Sequence, residues 1–166
     1  MVDAGLLADA RVELIDGELL YMTAKGPLHV YIASGLHERL LRALPGGWHA
    51  RKEDPLVTSD TSAPEPDIAV VAGDRGLWRG RLPTGRDCRL AIEVSVSTLE
   101  YDRSKLGSYA AGEVAEVWIV DVIGRRLERY AAPDNGEYAI AQVFDEDDAV
   151  EVPILGERWS VASLLA

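Results

Sequence analysis

The chain has 166 residues, of which 48% are hydrophobic, with a formal net charge of −11. That size suits one domain, residues 1–166, with one substantial core. The acidic balance argues against unassisted binding to a phosphate backbone, which draws on Lys and Arg. There is no uninterrupted apolar run long enough to span a bilayer, and acids stand where a secretory signal would begin with bases, so the expectation is a cytoplasmic protein. Cys88 is the single cysteine, which excludes an intrachain disulfide and a cysteine metal cluster and suggests a semi-buried neutral thiol.

In chain order, VELI and ELLYM alternate about Asp16-Gly17, a dipeptide suited to a two-residue hairpin turn. Gly26-Pro27 breaks the chain. From His29 to Leu44, Ala33, Leu36, Leu40 and Leu44 recur at helical spacing, and Pro45-Gly46-Gly47 ends the helix. A strand is expected around Asp54 to Thr58, and another over Ile68–Val71. The Gly- and Arg-rich stretch from Ala72 to Cys88 reads as a loop. A short buried strand follows over Leu90–Val94, then a turn at Ser95 to Thr98. A helix is expected from Asp102 to Ala111, with Leu106, Tyr109 and Ala110 facing inward. Val117–Val122 is apolar and β-rich, as a central strand would be. RRLERYA and EYAIAQVF form a second hairpin across Pro133 to Gly136, and a short helix, Val161 to Leu165, closes the chain. This order predicts an α/β fold with a mixed central sheet flanked by helices. Ile68–Val71, Leu90–Val94 and Val117–Val122 are expected to be neighbours in it.

Two residues depart from their surroundings. Asp67 begins the strand PEPDIAVV, and Glu93 lies inside LAIEVS. Apolar strands exclude carboxylates unless these are paired or hold a cation. Along the second strand Ala91, Glu93 and Ser95 share one face, so Glu93 needs a partner there. Two such acids with a lysine nearby, here Lys105, are the parts of a magnesium-dependent phosphodiesterase. The plainer readings are an ion pair with arginine or a turn cap. Glu65 is a further acid, expected to be solvated. His29, on the apolar face of the first helix, reads either as a satisfied core residue or as a partner for a site carboxylate. His37 and His49 read as surface residues. Arg75, Arg79, Arg81, Arg86 and Arg89 lie between the two acidic strands in sequence. They are either a phosphate-contacting loop beside the site or a solvated one. No HExxH, CxxC, GxxxxGK[ST], GxGxxG or GxSxG string occurs.

These stretches, together with SYAAGEVAEVWIVD and RRLERY, resemble the Uma-two family of restriction-endonuclease-like proteins, within the PD-(D/E)XK nuclease superfamily. The resemblance runs from about Val12 to the C-terminus. It implies a restriction-endonuclease-like core with an N-terminal and a C-terminal β-hairpin. It implies a metal-dependent endonuclease with Mg²⁺ or Mn²⁺ held by Asp67 and Glu93, acting on nucleic acid, DNA above all, and a homodimer by analogy. In the standard pattern a lysine lies two residues after the second acid, where this chain has Ser95. The family commonly moves that lysine to the following helix, which points to Lys105, with Lys52 and Arg103 as substitutes. The resemblance also gives His29 a place at the site and makes Glu116 a structural strand residue. Lys105→Ala is then expected to abolish cleavage and leave the fold intact. The competing reading is a non-catalytic interaction or DNA-binding module on a degenerate nuclease fold.

Overall fold

The computed structural model describes residues 11–166; the acidic N-terminal stretch read against a signal sequence lies mostly outside them. A six-stranded sheet runs in the order β3 (Trp48–Lys52), β4 (Ile68–Ala72), β5 (Cys88–Ser95), β6 (Glu116–Asp121), β7 (Arg126–Asp134), β8 (Glu137–Asp145). All neighbours are antiparallel except β5 and β6. The parallel pair is what demands a crossover. That crossover is built by α2 (Leu99–Ser104) and α3 (Leu106–Ala111). The expected neighbours Ile68–Val71, Leu90–Val94 and Val117–Val122 are adjacent strands, and β6 is central and buried throughout.

Period-two alternation splits the core into two layers. Ile68, Val70, Leu90, Ile92 and Val94 meet the long helix α1 (Pro27–Ala43) on one face. Ala69, Val71, Ala91 and Val117 meet Tyr109 of α3 on the other. The N-terminal hairpin β1 (Val12–Ile15) and β2 (Glu18–Tyr21) turns at Asp16-Gly17, both with positive φ, as the dipeptide suggested. A C-terminal hairpin, β9 (Ala149–Val152) and β10 (Glu157–Ser160), precedes α4 (Val161–Leu164). Among the described residues no helix is long and apolar enough to cross a membrane.

The structure corrects several expectations. The strand expected at Asp54 to Thr58 is only an isolated bridge from Val57 to Thr84, because Pro55 cannot donate to a ladder. The edge strand is instead β3, Trp48–Lys52, where only Ala50 is buried. The expected helix from Asp102 to Ala111 is two short helices, starting earlier at Leu99, with Lys105 at the junction. The stretch Ala72 to Cys88 holds two 3₁₀ turns. His37 and His49 are half-buried, His37 Nε2 lying 3.0 Å from the Ala50 carbonyl. Cys88 is fully buried, and burial pushes its thiol up to about 12, which keeps it neutral.

The end of α3 is fixed by close backbone packing. A Cβ at Gly85 would overlap the Gly112 carbonyl, and a Cβ at Gly112 would lie 2.7 Å from Thr58 Cβ. Neither obstacle is a flexible side-chain tip. Gly85→Ala is therefore expected to destabilise the protein by about 1–3 kcal/mol through overpacking. Chemical denaturation should show a lower midpoint with an unchanged slope.

Candidate active site

The carboxyl ends of β5 and β6 open into a cleft, the usual place for a site in an open α/β sheet. Asp67 sits one step beyond the Ile68–Ile92 pair, so the antiparallel register sets it beside Glu93. Both are buried, at 4% and 2% exposure. Pro66 leads an extended entry into β4, and Asp67 Oδ2 is fixed by the Val94 backbone N–H at 2.7 Å.

Each acid has its own cation. Lys25 Nζ donates to Asp67 Oδ1 at 2.5 Å and to Glu53 Oε1 at 2.8 Å. His29 Nε2 lies 3.0 Å from Asp67 Oδ2. Burial opposes the Asp67 charge, but the His29 hydrogen bond and Lys25 outweigh it and hold the carboxyl down at about 2. Glu93 Oε1 is 2.7 Å from Lys105 Nζ and accepts the Tyr109 hydroxyl at 2.5 Å. Lys105 also reaches Glu13 Oε1 at 3.1 Å. Glu13, in β1, is fully buried and further accepts the Tyr101 hydroxyl at 2.6 Å and the Glu65 N–H at 2.7 Å. One ammonium thus faces two buried carboxylates, with Asp102 close by.

The imbalance shows in the acids. Burial pushes Glu93 up to about 8 against the pull of Lys105, with Asp67 and Asp102 adding repulsion. Burial likewise pushes Asp102 up to about 6, although Thr98 donates to it at 2.6 Å. Burial opposes the charge of Lys105, yet its flanking acids keep it firmly protonated.

The structure brings Asp67, Glu93, Lys105 and His29 to one cleft. Lys105 is a buried junction residue, 2% exposed, and not a surface lysine. The substitutes lie elsewhere: Lys52 bonds Ser34, and Arg103 pairs with Glu128 and Glu100. The arginines between the strands are not beside the site. Asp67 precedes β4 while that loop follows it, so none of them lines the cleft. Glu65, expected in solvent, is half-buried on the cleft wall, and burial raises its pKa. Glu116 is structural, held by Arg129 at 2.8 Å and the Trp118 indole at 2.7 Å. Sequence reasoning missed Glu13 and Lys25. Glu13 carried the same signal as Glu93, an acid inside an apolar run. Lys25, between Ala24 and Gly26, carried none.

The residues fit a hard divalent cation by the chemistry of the donor set. Glu13, Glu65, Asp67, Glu93 and Asp102 line the cleft against Lys25, Lys105 and His29, and burial, with Asp67 and Asp102 adding repulsion, pushes the Glu93 carboxyl up despite the Lys105 ammonium beside it. Among the described residues no group of three or more His, Cys, Asp or Glu side chains forms a ready cage. Mg²⁺ does not require one, because it is usually held by one or two carboxylates together with waters and substrate phosphates.

A sheet with a parallel central pair, a helical crossover and paired acids with a lysine at the strand ends defines a restriction-endonuclease-like protein. The chain belongs to the Uma2 family, described as "Putative restriction endonuclease", whose family model matches residues 6–164. Its fold is similar to a crystal structure from Anabaena variabilis ATCC 29413, described as "a putative nuclease belonging to DUF820". That match has a TM-score of 0.76 and 17% identity, covering 95% of this chain and 90% of the other. A search of curated proteins found no match.

Proposed function

We propose that the protein is a metal-dependent nuclease that hydrolyses phosphodiester bonds of nucleic acid at the Asp67–Glu93 cleft. The observation that carries this reading is the pair of adjacent buried acids with Lys105 on Glu93, in a pocket whose carboxylates outnumber its cations. Asp67 and Glu93 would hold Mg²⁺ or Mn²⁺. When bound, the ion supplies Lewis acidity toward the phosphate and a more acidic water. The chain's own residues do the rest. Lys105 carries fixed positive charge where the phosphoryl transition state gains negative charge. Glu13 and Glu93 hold that ammonium in place, and Tyr109 orients Glu93 through its hydroxyl. His29 orients Asp67.

One observation favours a non-catalytic module. Both oxygens of Asp67 are already engaged, by Lys25, His29 and the Val94 N–H, so a cation binds there only in competition with Lys25. Titration calorimetry separates the readings. Mg²⁺ or Mn²⁺ should bind the parent protein, and Asp67→Ala should lose that binding. Binding that is unchanged in Asp67→Ala would remove the assignment, and a parent that binds neither ion would favour the module.

A further inference from the structure

The mouth of the cleft is apolar and aromatic. Tyr21 ends β2 and is 79% exposed; Ile123, in the turn after β6, is 70% exposed; Leu28, in the first turn of α1, is 46% exposed. All three line the same cavity of about 970 Å³. Tyr31 stands one turn beyond Leu28 on α1, so the two neighbour each other on the helix surface, and it is 69% exposed. Tyr21 is too exposed to add to the core, yet it lines the mouth of a buried charged site.

Among the described residues each cation lining the cleft is already engaged by an acid, while His29 Nδ1 has no partner. The cleft's lysines are Lys25 and Lys105, each bound to two carboxylates, and its histidine is on Asp67. Its lining includes Glu13, Glu65, Glu93, Glu100, Asp102 and Asp121. The arginines of residues 75–89 stand at the far end of the strands. A duplex carries one negative charge per about 1.7 Å of axis and is bound chiefly through that charge. An unpaired strand carries less charge per length and exposes base faces that stack on aromatic side chains. The cavity volume is also at the upper end of the ~300–1,000 Å³ typical of small-molecule pockets, a size for a nucleotide or two drawn inward.

We infer that the cleft takes unpaired nucleic acid, with a base stacked on Tyr21 beside Leu28 and Ile123 and its phosphate directed to the Asp67–Glu93 pair. The inference rests on the nuclease reading of that pair and names its substrate class. The test is fluorescence anisotropy in Ca²⁺ with a labelled single-stranded oligothymidine of about 12 nucleotides, within the usual range for single-strand sites, beside a duplex of the same length. The single strand should bind at least about tenfold more tightly than the duplex. Tyr21→Ala should weaken it by about tenfold, and Tyr21→Phe should restore it, as expected for stacking. Tyr21 is exposed enough that its removal leaves the fold in place, which a thermal melt verifies. Equal or tighter duplex binding, or an unchanged Tyr21→Ala, would overturn the inference. The measurement needs no turnover. Strand binding through Tyr21 without cleavage would therefore remove the nuclease reading alone, and cleavage indifferent to Tyr21 would remove this inference alone.

Discussion

Lys105→Ala is expected to cost the fold about 3–5 kcal/mol, because it strands buried carboxylates without their cation. Glu13 is fully buried, Glu93 is 2% exposed, and both lean on the one ammonium. The sequence-based expectation of an intact fold therefore gives way to a destabilised one. Cleavage should be lost as well, but a loss from unfolding would say nothing about chemistry. Lys105→Met separates the effects only in part, since it keeps the stem but strands the same acids. The double variant Lys105→Met with Glu13→Gln removes one buried charge of each sign. It should recover part of the stability, by the non-additivity expected of contacting residues, and still fail to cut. Denaturant midpoints with circular dichroism check the first part. A Lys105→Ala protein as stable as the parent would contradict the buried ion triad.

The second large effect is on pH dependence. Burial holds the Glu93 carboxyl at about 8, well above its ordinary value of 4.5. A raised carboxyl keeps its proton in the folded protein after the unfolded chain has released it. Its stabilising contribution is fully present below 4.5 and is lost as pH rises through about 8. Asp102, raised to about 6 from 3.8, adds a loss in the lower part of that window. The metal-free protein should therefore melt at progressively lower temperature between pH 5 and 8, each kcal/mol lowering Tm by roughly 2–4 °C. Glu93→Gln, which cannot ionise, should flatten the upper part of that slope. An equal slope in parent and variant would show that Glu93 does not titrate there.

The site was legible where charge conflicts with hydrophobicity. Asp67 stands at the entry to one apolar strand and Glu93 inside another, and PEPDIAVV and LAIEVS announce that conflict directly. Glu13 lies in VELI, which has the same conflict, but period-two alternation does not say which face of an isolated hairpin is covered. Only the packing of β1 against Glu65 and Tyr101 turns that residue inward. Lys25 sits in a loop without periodicity, and its role depends on where Asp67 and Glu53 meet in space. The central strands and α1 were readable because their apolar periodicity is long. β3 was not, since an edge strand such as WHARK buries one side chain. The β9–β10 hairpin was hidden by the acidic run before it and by Pro153 within it. The proximity of the arginine stretch to the acids in sequence misled, because a strand of five residues carries the chain about 16 Å, to the other end of the sheet.

On the proposed reading, the Asp67–Glu93 pair cuts phosphodiester bonds with a divalent ion. The most direct measurement incubates purified protein with circular single-stranded DNA and with supercoiled plasmid, each in Mg²⁺, Mn²⁺ or a chelator, beside Glu93→Gln. Linear products are expected from the single-stranded circle in Mg²⁺ or Mn²⁺, none with the chelator, and a loss of at least about a hundredfold in Glu93→Gln, the scale of one charge-stabilising group removed from an active site. No cleavage of either DNA in either metal, or a Glu93→Gln protein that cuts as fast as the parent, would contradict that reading.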